Sequence, residues 1–260
     1  MTLSLFSQFS PVLRAFGDRQ TLDGLVLREL TLGVDGPVSC VYAPFDHTPA
    51  SARLAIVGIA PGRVQAENAL RAAGAALRAG KPAPEAARIA KLTGSFSGAQ
   101  TRANLVAMLD AIGLATLFGL KTCADLFDPS RELVHFTSAL RYPVFVNGAN
   151  YNGTPNMVRT KFLLRMIETH LAAEAVALPD TLWLPLGPKP AAALQHLIRL
   201  GALPAARVLD GMPHPSGLNG ERIAAFLGRL DPARASVKTN VAKLMLARVG
   251  LADRVSSLSA

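Results

Sequence analysis

Two short stretches carry residue types that could do chemistry. Gly58-Ile59-Ala60-Pro61-Gly62-Arg63 follows an apolar run, Leu54 to Val57, and leads into an alanine-rich segment. The run is short and β-branched enough to be a buried parallel strand, so this stretch reads as a strand-to-helix turn. Glycines at both ends and a proline between them set a tight path. That path brings backbone N–H groups and the helix start toward one point, where open α/β sheets hold their ligands. His214-Pro215-Ser216-Gly217-Leu218-Asn219 repeats the logic near the C-terminus, with an imidazole at the turn and a helix from about Asn219. Two such turns at the carboxyl edge of one parallel sheet would face a common crevice. A third loop, Thr93 to Gly98, holds Phe96 between two glycines, and its ring suits either a stacking surface or a core plug.

The other histidines read as structural. His47 falls in a loop, His135 in a strand, and His170 and His196 on helices, with no ligand-spaced carboxylate or cysteine pair beside any of them. Cys40 and Cys123 are the only cysteines, are far apart and form no CxxC. They support neither a disulfide scaffold nor a thiolate metal site, and they fit a reducing, cytoplasmic setting. No metal and no cofactor is expected.

The elements that position these residues follow from periodicity and breakers. Leu25–Leu32 and Val38–Phe45 read as two strands around a turn at residues 33–37, edging or covering the main sheet. Arg53–Ile59 is the first parallel strand and Ala66–Arg78 the returning helix; Gly80 to Pro84 breaks it, and another helix starts near Glu85. A helix spans about Thr101 to Ile112, and Leu133–Leu140 is a second central strand. Val144 to Pro155, with Asn147, Asn150, Asn152 and glycines, reads as a loop. Thr154 and Pro155 then open a helix over Asn156–Ala177, with Arg159, Lys161 and Arg165 on a solvated or phosphate-facing side. Thr181–Leu186 is a further strand, Ala191–Leu200 a helix and Arg207–Leu209 a short last strand. The tail after Asp231 places Arg234, Lys238, Lys243 and Arg248 among leucines and valines, as an amphipathic helix with nucleic-acid contact as a second use.

Composition bounds the rest. The chain has 260 residues, half of them apolar, enough for one α/β domain with a sizeable core. Lysine plus arginine total 27 against 18 acidic residues, a formal charge of +9, which favours polyanions such as nucleic acid. A basic surface kept for solubility is the plainer reading. Residues 1–16 lack the basic start and cleavage signal of a secretory peptide, and no run of ~18 apolar residues suggests a membrane span.

In order, the chain offers a strand plus GIAPGR, then GSFSG before a helix, FTSALRYP, LPLGPKPAAAL and MPHPSGLNGER. This array resembles the uracil-DNA glycosylase superfamily over roughly residues 53–230. The N-terminal strands and the basic C-terminal helix lie outside it. The resemblance implies a three-layer α/β/α sandwich around a short, mainly parallel sheet, in a monomer acting on uracil-containing single- or double-stranded DNA near the bacterial nucleoid. It implies that His214 is catalytic and that Gly58, Ile59, Ala60, Pro61, Gly62, Phe96 and Ser138 bind the base, Ser138 standing where relatives place an asparagine. Arg63, Pro215, Ser216, Gly217, Leu218 and Asn219 would contact DNA. Leu218 would be the wedge that fills the gap left by the flipped nucleotide; its plain alternative is a core-facing leucine. Two departures stand out. Ala60 and Ile59 occupy the slot where many relatives place a water-activating side chain, so Gln100 and Asn104 are candidate stand-ins, while Glu67 and Asn68 serve equally well to cap and solvate the helix. Two cysteines exclude the four-cysteine iron–sulfur cluster of the nearest-looking branches. The competing readings are a non-catalytic DNA-binding module of the same fold, and an enzyme that handles a nucleotide or nucleoside.

Overall fold

A computed structural model describes residues 4–96, 98–128 and 130–258. Ser97, in the loop expected to carry the stacking aromatic, lies outside the described residues. The chain is mixed α/β. It opens with α1 (Leu5–Ala15) and α2 (Gly24–Glu29), then β1 (Thr31–Asp35), β2 (Val38–Val41) and β3 (Leu54–Gly58). Next come α3 (Arg63–Arg78), α4 (Ala83–Gly94), α5 (Ala99–Ala111) and the single turn α6 (Leu114–Leu117). After β4 (Val134–Ser138), β5 (Val144–Val146) and β6 (Ala149–Asn150), α7 (Lys161–Met166) runs through a wide turn at Ile167–Leu171 into α8 (Ala172–Ala177). β7 (Leu182–Pro185), α9 (Pro188–Arg199), α10 (Gly220–Phe226) and α11 (Val241–Ser257) complete it.

The chain divides into two compact units. The first comprises Met1–Thr48, Ile59–Ser97 and Phe136–Ala177; the second comprises Pro49–Gly58, Gly98–His135 and Leu178–Ala260. In the second unit β3 pairs in parallel with β7, Leu54 opposite Leu182 and Val57 opposite Pro185, and every residue of both strands is buried. A strand buried on both faces needs an uninterrupted apolar run, which is what both segments offer. β4 flanks β3 on its other side, giving the order β4-β3-β7. The chain passes into the first unit at Ile59 after β3 and at Phe136 within β4.

The first unit carries a separate antiparallel sheet in the order β1-β2-β5-β6. Here several sequence expectations are corrected. Most of Leu25–Leu32 is helix α2 rather than strand, and the strand proper starts at Thr31, whose hydroxyl donates to the Leu27 carbonyl at 2.7 Å. A short leucine-rich run does not distinguish helix from strand by itself. Gly33 stays inside β1 because a Cβ there would stand 3.1 Å from the Phe162 ring. The stretch after Val144 is a hairpin, turned by Asn147 (φ 49°) and Gly148 (φ 77°), the pair of left-handed residues that two-residue hairpins require. The helix expected from Asn156 starts at Lys161 instead. Asn156 Oδ1 takes the Val158 N–H at 3.0 Å and so holds residues 156–160 in a local turn. The last strand, Arg207–Leu209, shrinks to one bridge between Trp183 and Val208, because Ala205–Arg207 winds into a 3₁₀ turn.

Helix α3 starts cleanly because Gly62 is extended (φ −82°, ψ 172°) and Gln65 Oε1 accepts its N–H at 3.0 Å. Ala66, Ala69, Leu70, Ala73 and Leu77 form its buried stripe. Glu67 does not solvate this helix as expected. It is buried, accepts the Leu22 N–H at 2.9 Å and meets Arg71 at 3.4 Å. Gly74 is required by space. A Cβ there would come within 2.5 Å of the Leu13 carbonyl oxygen and 2.7 Å of that of Phe16, both at the end of α1. Gly74→Ala therefore trades a propensity gain of up to ~1 kcal/mol for overpacking worth about 1–3 kcal/mol. Urea unfolding is expected to show a lower midpoint with unchanged slope; a variant as stable as the wild type would contradict this packing.

Both cysteines are buried free thiols, in keeping with the absence of a disulfide scaffold, and burial pushes the Cys40 thiol up to about 12. Among the described residues no helix is long and apolar enough to cross a membrane.

Candidate active site

In the first unit the Ile59–Arg63 turn is fastened at each step. The Ile59 carbonyl accepts the Leu140 N–H at 3.0 Å, and Pro61 is buried. Gly62 N–H goes to Gln65 Oε1, and Arg63 N–H goes to Asn150 Oδ1 at 2.9 Å. The N–H of Gly62, one of the residues expected to bind the base, is thus capped by the protein's own side chain. The Arg63 guanidinium lies over the Phe145 ring, 4.6 Å from its centre, and donates to the Gly148 carbonyl at 3.1 Å and to the Leu22 carbonyl. Those donors tie the start of α3 to the β5–β6 hairpin and to the Leu22 backbone, and so hold the turn in place.

Phe96 takes the left-handed region (φ 47°), is 8% exposed and tilts against Phe136 with ring centres 5.7 Å apart. Of its two readings, the core plug describes this conformation. A bulky side chain at positive φ costs on the order of 1–3 kcal/mol and persists only where surrounding packing enforces it. Ser138 ends β4, half-buried. Its neighbour Thr137 donates to Glu174 Oε2 at 2.8 Å, and Arg141 Nε donates to Glu174 Oε1 at 2.7 Å.

Around that strand end lies a buried polar network that sequence reasoning missed. Asp46 accepts from the hydroxyls of Tyr42 (2.7 Å) and Tyr142 (2.6 Å), and burial together with the aspartate's charge drives both phenols upward. Lys91, 2% exposed, donates to the His47 carbonyl at 2.6 Å, and burial pulls its ammonium down to about 8 against the attraction of Glu174 and Asp46. His170 sits edge-on to Tyr142, its centre 5.0 Å away, and is held below its ordinary value by burial and then by Arg141. Nothing in local spacing announces these partners; Thr137 and Glu174 are 37 residues apart in the chain.

In the second unit His214 is held by its own loop. The Ser216 N–H donates to His214 Nδ1 at 3.2 Å, so Nδ1 is the acceptor and the neutral ring carries its proton on Nε2. Burial lowers the imidazole pKa from the ordinary 6.5, which favours that neutral form. The loop is braced from α5: Asn104 Nδ2 donates to the Pro215 carbonyl at 2.9 Å, and Gln100 Nε2 donates to Asn104 Oδ1 at 2.9 Å. Both side chains suspected of activating water are thus engaged in holding this loop. Gly187, at φ 90°, starts α9 and sends its N–H to the Met212 carbonyl at 2.8 Å, steering the chain into Pro213 and His214. Asn219 Nδ2 donates to Ser216 Oγ at 3.1 Å, and Gly217–Asn219 forms a 3₁₀ turn ahead of α10. Leu218 at its centre is 100% exposed, which removes the core-facing reading.

The remaining expectations distribute simply. His135 is fully buried, edge-on to Trp183 with ring centres 6.4 Å apart. Among the described residues no group of three or more His, Cys, Asp or Glu is placed to hold a metal ion. The tail forms α11, capped by Asn240 Oδ1 on the Lys243 N–H at 2.9 Å, with Val241, Leu251 and Val255 buried and Lys243 exposed. Glu221 accepts from Ser236 and Thr239, which hold its carboxyl down at about 2 and tie α10 to the segment before α11.

No family model and no solved structure matches the chain. The uncharacterized protein YoxB of Bacillus subtilis (strain 168) is 33% identical over 226 residues, 86% of this chain and 88% of YoxB. An identity of that size over nearly the whole of both chains means that this protein belongs to the same family as YoxB.

Proposed function

We propose that the protein is a monofunctional DNA glycosylase that hydrolyses the N-glycosidic bond of uracil, and of other deaminated bases, in DNA. The observation that carries this reading is His214: a neutral imidazole, its Nδ1 occupied by the Ser216 N–H and its proton on Nε2, four residues from a fully exposed leucine. A glycosylase has to extrude the nucleotide before it can reach the bond. As that bond breaks, negative charge gathers on the base, and a donor aimed at its oxygen lowers the barrier; one such donor is worth about a hundredfold to a thousandfold. A neutral donor suits the task because it stabilises the anion without surrendering a proton beforehand. The formal charge of +9 fits a polyanionic substrate. The three-layer sandwich belongs to this same reading. With no carboxylate in Gly58–Arg63, leaving-group stabilisation carries most of the catalysis.

The test is incubation with labelled oligonucleotides, single- and double-stranded, carrying uracil, hypoxanthine, xanthine or a thymine mismatch. Alkali-labile breaks at uracil are expected. A second reading, a DNA-binding module without catalysis, draws on the +9 charge together with the Gly62 N–H being capped by Gln65, and predicts salt-sensitive binding with no breaks at any enzyme concentration. Leu218→Ala is expected to slow excision from duplex about tenfold more than from single strands, because only a duplex has an opposing stack to fill. Equal losses on both substrates would remove the wedge role.

A further inference from the structure

We propose that the second unit holds a binding site for a small organic carboxylate with an apolar body, at the amino ends of β3 and β7. A cavity of about 350 Å³ opens there, and Arg53, Leu117, Phe118, Leu182, Arg207 and Leu258 line most of it. It lies at the end of the strands opposite Gly58 and Gly187, so it is separate from the His214 loop and does not rest on the glycosylase reading. Cavities of this size, largely apolar with a few convergent polar groups, are where proteins hold small molecules.

The walls are preformed. Arg53 N–H donates to the Leu133 carbonyl at 2.9 Å, and the Arg53 carbonyl accepts the Leu182 N–H at 3.0 Å. Beside it the Ala52 carbonyl accepts the Thr181 hydroxyl at 2.6 Å. Arg254 on α11 donates to the carbonyls of Ala205 (3.1 Å) and Ala206 (2.7 Å), in the turn that carries Arg207. Leu258, 42% exposed just past the end of α11, completes the rim.

The charges select the ligand. Arg207 donates to the Asp180 carbonyl and to its carboxylate, each at 3.1 Å, so those two formal charges cancel. Arg53 has no such partner among the described residues. Its guanidinium rests on the Phe118 ring, 4.9 Å from the centre. The ring face fixes the planar fork and leaves its five N–H donors for a ligand. A carboxylate meets that fork with two parallel hydrogen bonds and brings the site to neutrality, whereas a dianionic phosphate overshoots. The apolar body then lies against Leu117, Leu182 and Leu258.

Isothermal titration of the full chain with octanoate tests this. With about ten non-hydrogen atoms, octanoate is expected to bind one per chain with a Kd near or below about 1 mM. Acetate has the charge without the chain and octanol the chain without the charge; each is expected to bind at least about 10-fold more weakly. Arg53→Gln, at an exposed position, should melt within about 2 °C of the wild type. It should weaken octanoate at least about 10-fold. If Arg53→Gln melts lower than that, Leu258→Asp decides in its place, since it sets a like charge on the rim and should weaken octanoate similarly. No octanoate binding up to about 10 mM would overturn the proposal. So would equal affinity for octanol, or a wild-type Kd in the deciding variant.

Discussion

Replacing His214 with alanine is expected to cut uracil release by at least ~100-fold while DNA affinity is retained, the loss of a single donor to a developing anion. The size follows from the geometry of one ring. Its Nδ1 is spent on the Ser216 N–H, so Nε2–H is the only donor the imidazole offers, and alanine replaces it with nothing. The pH profile makes the assignment sharper. Burial lowers the folded-state pKa of His214 below 6.5, so the ring is neutral across the neutral range. The rate plateau should therefore extend below pH 6.5 instead of breaking there. Stability runs in the same sense: as pH falls below 6.5 the unfolded chain takes up the proton first, and the contribution of the buried neutral ring is lost on the way down to its folded pKa. Near-normal turnover by His214→Ala, in single-turnover assays, would take the residue out of the mechanism.

The parts of this architecture that are legible in the sequence are those set by continuous patterns. Leu54–Val57 and Leu182–Leu184 are apolar without interruption, and both are buried strands. The small-residue stripe of α3, the Gly80–Pro84 break and the glycine before Pro188 mark their helix boundaries within a few residues. The histidine loop is legible as a turn, because proline and glycine flank Ser216. What was not legible is set by partners distant in the chain. Asn147-Gly148 is a strong local hairpin signal, but its arms are only three and two residues long and carry too little alternation to stand out. Asn150 looks like one loop asparagine among three until its oxygen is found on Arg63, 87 residues away. Phe96 is balanced in sequence between stacking ring and core plug, and packing against Phe136 decides between them. Glu174 has the spacing of any helix-surface acid, yet it is 2% exposed.

That glutamate is where the largest loss of stability is expected. Glu174 accepts from Arg141 Nε at 2.7 Å and from Thr137 at 2.8 Å, with its own side chain 1% and that of Arg141 15% exposed. Its charge also supports the buried Lys91. Glu174→Ala strips the buried Arg141 of its counter-charge and leaves Lys91 with the attraction of Asp46 alone, and breaking a buried pair from one side costs about 3–5 kcal/mol. A second replacement separates this electrostatic cost from mere loss of packing. Glu174→Gln keeps the shape and one acceptor, so a packing role would leave it close to wild type, whereas a charge role would leave it nearly as unstable as Glu174→Ala. Urea unfolding of the two variants distinguishes these outcomes, and a loss under about 1 kcal/mol in Glu174→Ala would put the pair in the class of surface salt bridges. The effect should also reach the site. Thr137 and Arg141 bracket Ser138, so the carboxylate that neutralises Arg141 also fixes the end of β4. Under the glycosylase reading, Glu174→Gln measured well below its unfolding midpoint should raise KM for uracil DNA more than it lowers kcat, since it loosens a base-holding strand end and leaves the His214 donor untouched.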